Sequence, residues 1–136
     1  MTNTSPISVG ALTIMAAKPR ALARFYSRFL RWPYIREEEP SAPDPPEAGY
    51  ALVCPPEGVT SPALNFDYQP FFQRPSWPTI AGAQTSTMHL DVAVDELDTA
   101  VAWAIKCGAT LADTQPNPGG HRVVIDPEGH PICLCL

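Results

Sequence analysis

The sequence predicts an α+β fold in which two tandem βαβββ modules form a curved mixed sheet around a concave pocket. The first observation is the order of patterns in the last third of the chain. There MHLDVAV, DELDTAVAWAIKCG, ATLADTQP, HRVVIDPEGH and PICLCL read as one strand, one helix and three strands, spaced by turn residues. The second is that the first half repeats this order: laid on the other half it sets strand on strand and helix on helix, with almost no residue in common. The third is size, since 136 residues suffice for one compact domain, with modules at about 9–69 and 88–136 joined by a linker over 70–87. Two such units, each covered outside by its helix, leave their inner sheet faces concave.

Residues 1–8 are a polar leader without pattern, partly ordered at best. Val9–Ala17 is an apolar run of the length of a buried strand. Pro19 then stands in the first turn of a helix, where its missing N–H is no loss, and Leu22, Phe25, Tyr26, Phe29 and Leu30 make one apolar stripe. Arg20, Arg24, Arg28 and Arg31 lie opposite. On an acidic chain such a stripe reads as the solvated face of an amphipathic helix rather than as an RNA contact. Trp32-Pro33 ends the helix, because a residue before proline is pushed out of the α region. Tyr34–Glu38 reads as a short strand and Pro40–Gly49, with four prolines, as a loop. YALVCPP and ALNFDYQ are two further strands, the second alternating Leu64, Phe66 and Tyr68 with Asn65 and Asp67.

The linker Pro70–Thr87 carries Phe71, Phe72 and Trp77 without any period. It exceeds the about 12–15 residues of an ordinary connection, so it packs across the fold, covers a pocket or ties to a second subunit. In the second module Asp95 is placed as N-cap, with Glu96 and Asp98 in the first turn and Lys106 in the last, all suited to the helix dipole. Leu97, Val101, Ala104 and Ile105 form the buried stripe, and Gly108 the stop. Asp126-Pro127-Glu128-Gly129 is a tight turn that returns the Arg122–Ile125 strand into PICLCL as a hairpin.

A net charge of -5 argues against nucleic acid and anionic membrane as partners, because phosphate binding needs clustered Lys and Arg. Neither a signal peptide nor a membrane span is visible, so a cytoplasmic location is expected. Cys54, Cys107, Cys133 and Cys135 show no C-x-x-C spacing and read mostly as reduced, buried small hydrophobes.

The stretches ALARFYSRFLRWP, MHLDVAVDELDTAVAWAIKCGATL and GGHRVVIDPEGHPICL resemble the vicinal oxygen chelate superfamily, in its glyoxalase-like and bleomycin-resistance-like branch. The resemblance runs from Val9 to Leu136 and implies the glyoxalase/bleomycin resistance/dioxygenase fold. It also implies where metal-using members place ligands: on the first and the last strand of each module. In this chain those places are Ala11–Thr13, Asn65, His89 and Cys133. Only His89 is a conventional ligand there. Asn is a weak neutral donor, Ala has none, and a thiol stands where the family has a carboxylate, so no cofactor is expected, the alternative being a divalent metal held by a Cys-plus-His site. His121 and His130 sit beside turn glycines and read as solvent-exposed.

Strand alternation places Asp91 on the face of His89, Asn65 with Asp67, and Cys133 with Cys135. Leu90, Val92 and Val94 should pack under the second helix, and Ile132, Leu134 and Leu136 should join the hydrophobic layer. The inner surface then holds His89, Asp91, Asn65, Arg122 and Cys133, with Phe72 and Trp77 as walls. Such groups satisfy one another as a structural network or meet a ligand. The expectation is a metal-free small-molecule-binding protein, a homodimer by resemblance. The alternative is a glyoxalase-like lyase, dioxygenase or isomerase with His89 as ligand or base.

Overall fold

The computed structural model describes residue 2 and residues 4–136, so Met1 and Asn3 of the leader lie outside the described residues. The first module holds β1 (Ala11–Ala16), α1 (Pro19–Leu30), β2 (Tyr34–Glu38), β3 (Tyr50–Cys54) and β4 (Ala63–Tyr68). The second holds β5 (Leu90–Ala93), α2 (Leu97–Cys107), β6 (Thr110–Leu111), β7 (His121–Ile125) and β8 (Pro131–Cys135). Both modules are βαβββ, as the element order predicts. The mixed sheet is realised as two four-stranded sheets, ordered β1-β4-β3-β2 and β5-β8-β7-β6, each with one parallel pair. Among the described residues no ladder joins β1 to β5.

Each helix covers one face of its own sheet. In α1 the stripe Leu22, Ala23, Phe25, Tyr26 and Phe29 is buried, against Ala51, Val53, Leu64 and Phe66 of β3 and β4. Two of the arginines opposite are answered within the chain: Arg24 pairs with Glu37, and Arg20 with Glu39 and the Ala48 carbonyl. Helix α2 buries Leu97, Val101, Ala104 and Cys107. Its N-cap is Glu96 rather than Asp95, and its stripe closes with Cys107, because Ile105 is 48% exposed. Strand β6 is two residues long, not the eight of ATLADTQP. Leu136 follows the end of β8 and is exposed instead of joining the hydrophobic layer.

The modules meet through side chains. Trp103 on α2 donates its indole N–H to the Phe29 carbonyl at 2.9 Å and carries the Arg31 guanidinium 4.5 Å above its ring. Tyr26 on α1 reaches the buried Asp126 in the β7–β8 turn. The linker has no helix or named strand; it is closed by a bridge between Ser76 and Thr85 and lies on the second module, where Arg74 donates to the Pro127 carbonyl at 2.9 Å. No helix among the described residues is long and apolar enough to cross a membrane.

Gly49, just before β3, has φ +87, and a Cβ there would stand 2.2 Å from the Glu38 carbonyl oxygen. Gly49→Ala therefore combines left-handed strain with a backbone clash. It should cost at least about 1–3 kcal/mol in urea unfolding without altering the sheet order.

Candidate functional site

The open sheet faces carry the polar residues that alternation assigns to them. In the first module, register sets Asn65 between Thr13 and Leu52, and Asp67 between Met15 and Tyr50. The Asn65 amide nitrogen donates to Thr13 Oγ1 and to Asp67 Oδ1, each at 3.3 Å, while its buried Oδ1 has no partner among the described residues. In the second module, register sets Cys133 between Asp91 and Val123, and Cys135 between Ala93 and His121. His89 stands one residue before β5 and its Nε2 lies 3.1 Å from Asp91 Oδ1. Ligating atoms of His89, Asp91 and Cys133 all lie within 4.8 Å of one another.

Two thiols share this face. Burial first, then the Asp91 carboxylate, pushes both the Cys133 and Cys135 thiols above the ordinary thiol range. Cys133 is thus held as a thiol at neutral pH, which is the reverse of an activated nucleophile. Of the four cysteines only Cys107 is fully buried; the other three are half-buried.

Three expected positions differ. Arg122 is not on the inner surface: its register partner is Leu134, so it faces the helix side, where it binds Asp98 at 3.1 Å and the Pro118 carbonyl at 2.6 Å. The next two residues, Val123 and Val124, are both buried although they point to opposite faces, so burial on the two faces of β7 hides its polarity from alternation. Trp77 does not join His89. Its indole N–H donates to the Thr114 carbonyl at 3.2 Å, and the ring sits in a small recess with Arg74, Leu111 and Asp113. His130 is not a solvated turn residue, since its side chain is only 18% exposed.

His130 and Asp126 are the functional-looking residues that alternation and turn chemistry do not reveal. Asp126 is 1% exposed. Its Oδ2 accepts from Tyr26 Oη at 2.7 Å and His130 Nδ1 at 2.8 Å, and its Oδ1 from the backbone N–H groups of Glu128 and His130 at 2.8 and 3.0 Å. His130 Nε2 faces the Met15 carbonyl at 3.0 Å. Both ring nitrogens meet acceptors, and only the imidazolium donates to both. Burial alone would lower the His130 pKa, but the Asp126 hydrogen bond and charge, the Met15 carbonyl and Glu128 together raise it above the ordinary imidazole value. The available signal was the pairing of Asp126 and His130 across a turn, where an aspartate satisfies the turn's own N–H groups.

This imidazole forms part of the wall of a cleft of about 610 Å³ between β1, the linker and the β7–β8 turn. Ile14, Met15, Phe72 and Met88 give it apolar surface, and Thr13, Gln69, Gln84 and His130 give it polar groups. Phe72 lies with its ring centroid 5.6 Å from that of His130. His89, Asn65 and Trp77 are not among its lining residues. The seven expected site residues therefore fall into five places, and only Phe72 lies on this cleft.

The donors at the family's four metal positions do not form one set. Ala11 has no donor atom, and Thr13 and Asn65 bond to each other in the first sheet. His89 and Cys133 converge in the second sheet, with Asp91.

A family model described as a glyoxalase-like domain matches residues 11–135. Among solved structures, the chain is similar to an antibiotic binding protein from Streptomyces sp. CB03234, at 17% identity and TM-score 0.58, with 98% of each chain covered. It is similar to a glyoxalase/bleomycin resistance/dioxygenase family enzyme from Burkholderia phytofirmans PsJN, at 16% identity and TM-score 0.61, covering 94% of this chain and 97% of that one. The trypanothione-dependent glyoxalase I of Leishmania major aligns at 20% identity and TM-score 0.55, over 96% and 86%. At these identities the likeness is one of fold. No curated protein matches the chain.

Proposed function

The chain belongs to the glyoxalase-like domain family, and within it we propose that this protein binds an apolar or aromatic small molecule, without a metal taking part in recognition. The observation that carries this reading is the cleft of about 610 Å³ under the linker, of the size that encloses a small organic ligand. Its walls are Phe72, Ile14, Met15 and Met88; its polar orienters are His130 and Gln69. Both N–H groups of the His130 imidazolium are already donated to Asp126 and the Met15 carbonyl, so His130 offers a ligand its charged ring face, which favours a ligand with a π face. One fold neighbour is described as an antibiotic binding protein, which supports the same class of role.

A thermal-shift series with aromatic metabolites and antibiotics tests this. A ligand at about 100 times its Kd adds about 2.7 kcal/mol to stability, with no turnover of the compound. Phe72→Ala should weaken that binding about tenfold, roughly 1.4 kcal/mol. If no compound in the series shifts the transition, the reading is lost.

The 3.1 Å contact between His89 and Asp91 favours a second reading, in which Asp91 orients His89 as a general base in a glyoxalase-like reaction. A turnover rate unchanged in His89→Ala would remove it.

A further inference from the structure

We propose that a groove at the junction of the two modules binds a small zwitterion with an apolar body, an amino acid or a dipeptide, whose carboxylate meets Arg31 and whose ammonium meets Asp95. The groove, of about 540 Å³, lies between the end of α1, the end of β5 and the start of α2. That volume is within the range of small-ligand sites. Leu30, Val92, Val94, Ala100 and Trp103 give it apolar walls. It is separate from the cleft under the linker, with which it shares no lining residue.

Arg31 is the groove's cation. It ends α1 in the left-handed region, with φ 57, which glycine occupies without strain and arginine does not. Strain of this kind persists where the surroundings hold the residue in place. Here the guanidinium is laid over the Trp103 ring, 4.5 Å from its centroid. Stacking uses the face of the guanidinium and leaves its N–H edge free to fork a carboxylate. Arg20, Arg24 and Arg122 are each paired with an acid, whereas Arg31 has no acidic partner among the described residues.

The segment from β5 into α2 supplies the opposite charge. Of its acids, Glu96 accepts from Thr99 Oγ1 at 2.7 Å and Asp98 holds Arg122, while Asp95, which lines the groove, has no cationic partner among the described residues. The free edge of β5 runs into the same groove. β5 pairs only with β8, to which Val94 donates its N–H at the Cys135 carbonyl, 2.8 Å away. Alternate residues of a parallel ladder turn their backbone groups to alternate sides, so Ala93 turns its N–H and C=O away from β8. One backbone donor and one acceptor are thus open to the ligand's own polar groups. A molecule carrying a single charge would leave either Arg31 or Asp95 desolvated and unanswered, so the groove selects for both charges.

Isothermal titration calorimetry of the native protein reads the site with four probes. Phenylalanine and the dipeptide leucyl-phenylalanine carry both charges, and the tighter of the two tells amino acid from dipeptide. Phenylacetate lacks the ammonium and phenethylamine the carboxylate. At least one zwitterion should bind saturably, one per chain, and each single-charge compound should bind at least about tenfold more weakly. Arg31→Gln and Asp95→Asn should each weaken the zwitterion by at least about tenfold, and Arg24→Gln, on the same helix, should leave it unchanged. Arg31 and Asp95 are both exposed, and circular dichroism of each variant separates loss of binding from loss of fold. Absence of saturable binding by both zwitterions overturns the proposal. So does zwitterion binding that Arg31→Gln or Asp95→Asn leaves unchanged, or a single-charge compound that binds as tightly.

Discussion

Asp126→Ala is expected to be the most damaging single substitution in the molecule outside the aromatic core, lowering stability by about 3–5 kcal/mol. The carboxylate is 1% exposed and accepts four hydrogen bonds, from Tyr26, His130 and two backbone N–H groups. Alanine leaves all four donors without their acceptor, in surroundings that already hold the Tyr26 hydroxyl well above its ordinary pKa, first by burial and then by the Asp126 charge. By calorimetry the melting temperature should fall by about 10 °C or more. A loss below about 1 kcal/mol would mean that solvent replaces the carboxylate without difficulty.

The same group gives the protein a pH signature. The folded pKa of His130 is raised above 6.5, so the stability it contributes is fully present below about pH 6.5 and is lost as pH rises through the folded value. The charged or titratable groups around it are Asp126, Glu128 and, through Asp126, Tyr26. The difference in unfolding free energy between native protein and His130→Gln should therefore shrink with rising pH over that window. In Asp126→Ala, burial acts on the imidazole without its counter-charge. The His130 pKa, read by proton NMR, should then drop relative to the native protein.

Phe66→Ala should cost a comparable about 3–5 kcal/mol, by a different route. Phe66 is fully buried at the centre of β4, and its ring lies 5.3 Å from that of Tyr26, tilted by 32°. Truncation removes apolar burial and opens a space beside the Tyr26 ring, whose hydroxyl binds Asp126. The two substitutions share Tyr26 as a neighbour. Their effects in the double variant should consequently fall short of the sum by about 0.5 kcal/mol or more, measured as a double-mutant cycle in urea. Strict additivity would show that the ring and the carboxylate act separately.

Much of the fold was legible because its signals are local and periodic. The stripe Leu22, Phe25, Tyr26, Phe29 needs only a helix to bury it, and the alternation of Leu64 and Phe66 with Asn65 and Asp67 needs only a sheet with one covered face. Alternation also sets His89 on one face with Asp91, and the β5–β8 register stands Cys133 beside Asp91. It failed at Arg122, where the two valines that follow are both buried, and at the linker, where Trp77 follows no period. His130 was hidden for another reason. Its turn is exposed in sequence terms, and only the packing of β1 and Phe72 against it makes it interior. At the end of α2, Ile105 and Cys107 are both apolar, and the sheet beneath chose between them.

Among the described residues the two sheets share no backbone ladder, and this bears on how the molecule opens. Strand-to-strand hydrogen bonding transmits nothing from one half to the other. Mutual protection rests on the α1–α2 contact, the Trp103 indole bond and the carboxylate under Tyr26. Native-state hydrogen exchange should find each module's amides moving as one unit, with the two units locked together through these side chains. Cutting the lock, as Asp126→Ala does, should split one exchange class into two while leaving each sheet's own protection intact.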